Sequence, residues 1–121
     1  MYKINIRAED GYIYAHVTGK ESLENSWAYW REIAAACAEH GFKKVLVEDY
    51  LEGEISTIEV HTFAKEFTKR TGIPLGAKIA SVSVPEKLPS QGFAETVATN
   101  WAGVNVKVFI DTNEAKQWLF A

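Results

Sequence analysis

The chain has 121 residues, 47% hydrophobic and 24% charged, with a net charge of −3 and a sequence pI near 5.6. That length and balance suit one domain over residues 1–121 that builds its own core without a disulfide or metal staple. The mildly acidic balance argues against a nucleic-acid partner and against an anionic membrane surface. Cys37 is the single cysteine, so an intrachain disulfide is excluded and a reducing cytoplasm fits.

The opening segment, "YKINIR" (2–7), alternates Tyr2, Ile4 and Ile6 against Lys3, Asn5 and Arg7. That is the period of a half-buried strand, not the continuous apolar run of a signal peptide. "EDG" (9–11) supplies a turn, and "YIYAHV" (12–17) resumes the strand pattern, which predicts a β-hairpin. Residues 22–41 then carry Leu23, Trp27, Trp30, Ala34, Cys37 and Ala38 at spacings of three and four, one apolar stripe of a helix. Ser22 is its expected N-cap and Gly41 its expected terminator. Tyr29 and Trp30 adjoin on this helix, so only one of them is expected to face the core squarely.

"KVLVEDY" (44–50) has the Val-Leu-Val centre of a strand buried on both faces, as in a parallel sheet. A second helix is expected over about 57–71, with Val60, Phe63, Ala64 and Phe67 as its stripe and Gly72 at its end. "GAKIASVSV" (76–84) is a strand, and "PEKLPS" (85–90) a loop, because its two prolines forbid a strand interior. A third helix is expected over 91–103. A strand over 104–110 should place Val104, Val106, Val108 and Ile110 on one face, and a last helix lies within 111–121. The order β-β-α-β-α-β-α-β-α predicts an α/β fold: a mixed sheet opened by an N-terminal hairpin, with four helices packed on it. No apolar run approaches the roughly 20 residues that insertion into a membrane requires.

That element order, and the ending "VKVFIDTNEAKQWL" (106–119), resemble STAS domains and the SpoIIAA-like superfamily of anti-sigma-factor antagonists. The resemblance covers nearly the whole chain. It implies a SpoIIAA-like fold and a non-enzymatic, bacterial regulatory or protein-interaction module. The family carries Asp-Ser-Ser-Gly at the turn between its third strand and second helix, where a partner kinase docks and phosphorylates one hydroxyl. The corresponding turn here is "GEISTIEV" (53–60), in which Ser56 and Thr57 match the hydroxyl pair, Ile55 stands at the Asp and Ile58 at the Gly. By that resemblance Glu52, Glu54, Ser56 and Thr57 form the expected phosphorylation or partner-binding surface. The same residues also spell a capping box, Ser56-x-x-Glu59, with Ile55 and Val60 as a hydrophobic staple.

The remaining chemistry-bearing residues are sparse. Glu48, Asp49, Glu52 and Glu54 cluster after a strand without the spacing of a calcium loop, and read as a solvated acidic loop rather than a metal site. His16, His40, His61 and Cys37 lack ligand spacing, and a thiol on an apolar helix stripe is inert. No catalytic residue, metal or cofactor is therefore expected. The aromatic residues Trp27, Trp30, Phe63, Phe67, Phe93, Trp101, Trp118 and Phe120 are many for so small a chain. Most should be core. Trp27, Trp30, Phe63 and Phe67 also define an alternative function, a pocket for a small hydrophobic ligand between helices and sheet. The same broad fold group includes lipid carriers of the CRAL-TRIO type. An exposed aromatic patch that forms a homodimer is the third use considered.

Overall fold

The computed structural model describes residues 1–87, 89 and 103–121. Its strands are β1 (Tyr2–Ala8), β2 (Ile13–Lys20), β3 (Lys44–Glu52), β4 (Lys78–Val82) and β5 (Asn105–Phe109). They form one sheet in the order β1-β2-β3-β4-β5. β1 runs antiparallel to β2, and every later pair is parallel. Among the described residues the helices are α1 (Leu23–His40), α2 (Thr57–Thr71) and α3 (Thr112–Leu119), with a 3-10 turn at Pro85–Lys87. The mixed sheet and its opening hairpin are as the alternation predicts. The helix expected over 91–103 falls, apart from Gly103, outside the described residues.

Local chemistry accounts for the boundaries. The Ser22 hydroxyl accepts from Asn25 N–H at 3.0 Å, which starts α1. Gly41 ends it in the left-handed conformation, φ 70°, where a side chain would be strained. At α2 the capping box is complete: Glu59 N–H donates to Ser56 Oγ at 3.2 Å, and Ser56 N–H donates to Glu59 Oε1 at 3.0 Å. A cap of this kind contributes about 1 kcal/mol. Asp111 caps α3 by accepting from Asn113 and Glu114 N–H. At the other end of α3 the Lys78 ammonium donates to Trp118 O at 2.6 Å, a cation on the carbonyl end of the helix.

The central strand separates two layers. Val45, Val47 and Leu51 point to the face covered by α1 and α2, with Ile13, Ala15, Val17, Ile33, Phe67 and Ile79 packed around them. Leu46 points the other way, into a smaller cluster with Tyr12, Ala80, Val82, Ala115 and Leu119 of α3. The Val-Leu-Val reading of a strand buried on both faces holds.

Two sequence expectations fail at the level of single residues. Tyr29 and Trp30 are both buried, at 5% and 8% exposure. Tyr29 tucks under the sheet edge against Tyr2, with ring centroids 5.9 Å apart, while Trp30 meets Phe67 edge to face at 5.2 Å. One helix face is therefore wide enough for both rings. Ile110 does not continue the face of Val104 and Val106: β5 ends at Phe109, and Ile110 is exposed where the chain turns toward α3.

Candidate functional site

Between the sheet and helices α1 and α2 lies a cavity of about 160 Å³. Its floor is a set of sheet neighbours: Val47 and Asp49 on β3, Ile79 and Ser81 on β4, Val106 and Val108 on β5. The register sets Val47 beside Ser81 and Ser81 beside Val108, so alternation turns these side chains to one face. Its walls are Trp30 of α1 and Val60, Phe63, Ala64 and Phe67 of α2. The mouth lies where the parallel strands end, the usual position for ligands in open α/β sheets. There Glu21, Ser26, Tyr29, Glu54, Ile55 and Lys87 come together.

The mouth is polar, whereas the floor and walls are mostly apolar. Ser26 Oγ donates to Glu21 Oε1 at 2.8 Å. Asp49 is buried, and its Oδ1 accepts from Leu51 N–H at 3.2 Å. Lys87 Nζ donates to Leu51 O at 2.7 Å and so brings an ammonium beside the carboxyls. Burial pushes the Glu21 carboxyl up to about 7, and the neighbouring Asp49 charge adds to the rise. Burial likewise drives the Tyr29 hydroxyl well above its ordinary value, with Glu21 and Asp49 contributing.

The sequence-predicted residues divide between this cavity and its rim. Trp30, Phe63 and Phe67 line the cavity. Trp27 is not part of the lining. It stacks outside Phe63, centroids 4.5 Å apart, with the Arg70 guanidinium 4.2 Å from its ring centroid. Glu54 and Ile55 border the mouth, while Ser56 and Thr57 lie exposed at the start of α2. Glu52 is exposed at the end of β3. Ile58, which stands where the family has Gly, turns outward and is 78% exposed. Of the rings considered for a dimerising patch, Trp27, Trp30 and Phe67 are buried. Phe93 and Trp101 lie outside the described residues.

The acidic segment is split by the sheet. Asp49 faces the cavity, whereas Glu48 faces α3, so the two carboxylates are on opposite sides of β3. Glu48 accepts from the Tyr14 hydroxyl, from His16 Nδ1 at 2.9 Å and from Thr112 Oγ1 at 3.1 Å. Burial pushes the Glu48 carboxyl up, but these hydrogen bonds outweigh it and hold the group below its usual range. Among the described residues no three His, Cys, Asp or Glu side chains gather to hold a metal ion.

Sequence reasoning missed Glu21, Ser26, Tyr29, Ser81 and Lys87. No motif links them, because four separate segments deliver them. The one available signal was the rule that sites form at the carboxyl ends of parallel strands, which points to the residues just after β2, β3 and β4.

An opening antiparallel hairpin, a parallel run of neighbouring strands, α1 and α2 on one face and α3 on the other define the SpoIIAA-like fold. The same fold recurs in the crystal structure of an anti-sigma factor antagonist from Mycobacterium paratuberculosis, with a TM-score of 0.61 at 10% identity over 100% of this chain and 96% of that one. It recurs also in an uncharacterized protein of the DUF3478 family from Shewanella loihica PV-4, with a TM-score of 0.61 at 21% identity over 98% and 93% of the two chains. At these identities the likeness is one of fold. No protein-family model matches the chain, and no curated protein matches it significantly in sequence. No helix among the described residues is long and apolar enough to cross a membrane.

Proposed function

We propose that this chain is a non-enzymatic binding module of the bacterial cytoplasm that holds a small, mainly apolar molecule between its sheet and α1 and α2. The supporting observation is the cavity itself, floored by valines and isoleucine and walled by Trp30, Phe63 and Phe67. Protein interiors are otherwise close-packed, so a void of this size is exceptional in a small chain. A void of roughly 150 Å³ with apolar walls is known to accept benzene. Cys37 supports a role without covalent catalysis: its thiol is buried away from the cavity, and burial pushes it up to about 11.

Benzene titrated into the labelled protein is expected to shift the amide signals of Val47, Ala64 and Phe67. Ala64→Leu, which places a larger side chain inside the cavity, is expected to abolish those shifts while the chain stays folded. Amide spectra unchanged by saturating benzene would end this reading.

A second reading is a protein-docking surface at Glu52, Glu54, Ser56 and Thr57. It is favoured by the structural likeness to an anti-sigma factor antagonist and by the exposure of both hydroxyl residues. Ser56 Oγ already accepts from Glu59, yet a helix N-terminus tolerates a phosphate. Incubation with ATP and a bacterial lysate is expected to add the mass of one phosphate, abolished by substituting Ser56 and Thr57 together with Ala. An intact mass that never changes would remove the phosphorylation element of this reading.

A further inference from the structure

The hydrogen bonds already made around the cavity narrow what it can hold. At the mouth the protein engages its own charged groups. Glu21 Oε1 accepts from the Ser26 hydroxyl at 2.8 Å, Asp49 Oδ1 accepts from Leu51 N–H at 3.2 Å, and Lys87 Nζ donates to Leu51 O at 2.7 Å. A charged guest would compete there with contacts that the fold has made. Deeper in, it would lie against Val47, Ile79, Val106 and Val108, which offer an ion no partner.

The floor makes a different demand. Ser81 is 7% exposed and lines the cavity, yet its hydroxyl makes no hydrogen bond among the described residues. Strand alternation turns it to this side: Ile79, two residues earlier, belongs to the core under α1 and α2, whereas Ala80 and Val82 pack toward α3. The register sets Ser81 between Val47 of β3 and Val108 of β5, whose side chains carry no polar atom. Buried hydroxyls are nearly always hydrogen-bonded. A purely hydrocarbon guest would seal this one in without a partner, at a cost. A guest hydroxyl satisfies it in either sense, because each hydroxyl both donates and accepts.

We infer that the occupant is a small uncharged alcohol or phenol, its apolar body against Trp30, Phe63 and Phe67 and its hydroxyl on Ser81 Oγ. The inference rests on the cavity being a binding site and adds the chemistry of its guest.

Phenol and benzene share a ring and differ by one hydroxyl, so together they separate the two claims. Each is titrated at pH 6, where phenol is uncharged, into the labelled wild-type protein and Ser81→Ala, and affinities are read from amide shifts. Phenol is expected to bind the wild type at least as tightly as benzene. Ser81→Ala should weaken phenol about fivefold and leave benzene no weaker, the effect of one neutral hydrogen bond. Ser81→Cys, close in size but a weak partner, serves the same comparison should Ser81→Ala not fold. Phenol binding more weakly than benzene to the wild type would overturn the hydroxyl assignment and leave the apolar pocket standing. So would a substitution that leaves phenol unaffected or weakens both probes alike. Failure of both probes to bind the wild type would overturn the pocket and the hydroxyl guest together.

Discussion

Glu21→Gln is expected to stabilise the protein at pH 8 and to do almost nothing at pH 5. The folded chain keeps the Glu21 proton up to about 7, whereas the ordinary value is 4.5. Between those values the folded state binds more protons than the unfolded state, so stability falls as pH rises through this window and levels off above about 7. The penalty at pH 8 is on the order of 2–3 kcal/mol. An amide at this position keeps the oxygen that accepts from Ser26 but carries no charge to bury. The expected gain in melting temperature at pH 8 is roughly 5–10 °C. Thermal unfolding followed by circular dichroism at pH 5 and pH 8 checks it. A wild-type melting temperature flat across that range, or a variant less stable at pH 8, would contradict the burial of this carboxyl. Ionised Glu21 thus opposes folding above about pH 7.

Leu46→Ala is expected to be the most damaging single truncation on the opposite face. Leu46 is 0% exposed, and it packs with Tyr12, Ala80, Val82, Ala115 and Leu119. Two of those neighbours are alanines, which have no side-chain freedom to move into the space. The loss should therefore fall at about 3–4 kcal/mol, the middle to upper part of the Leu→Ala range. In urea the midpoint should drop with an unchanged slope. Because the sheet stands between Leu46 and the cavity, benzene uptake should persist in the folded variant. A loss below about 1 kcal/mol would mean that α3 seals this face far less tightly than the packing indicates.

The legible parts of this protein were those set by near neighbours in the chain. Ser22 with Gly41, and Ser56 with Glu59, mark helix ends because capping involves residues three or four apart. Alternation in β1 and the apolar triplet of β3 carried the sheet, since each face of a strand declares its own environment. Trp30, Phe63 and Phe67 were legible as pocket candidates from helical spacing. Trp27 on the same stripe lies outside Phe63, because a stripe gives a face but not a depth. Tyr29 was misjudged for a related reason: the Tyr2 edge that covers it lies far away in the chain. Glu21 had no readable signal at all. Its environment is assembled by Asp49 and Lys87 from other segments, and only tertiary structure turns an ordinary glutamate into a group that titrates near neutrality.

Each strand of the sheet is laid beside the one that precedes it in the chain. The polypeptide can therefore assemble its sheet in the order in which a ribosome releases it, without waiting for a distant partner strand. Val106 and Val108 sit on the strand added last. A nascent chain that has emerged only as far as β4 already has Trp30, Phe63 and Phe67 but lacks part of the surface beneath them. The hollow is thus complete only late in biosynthesis, and any guest that fitted it would favour the finished molecule over its truncated precursors.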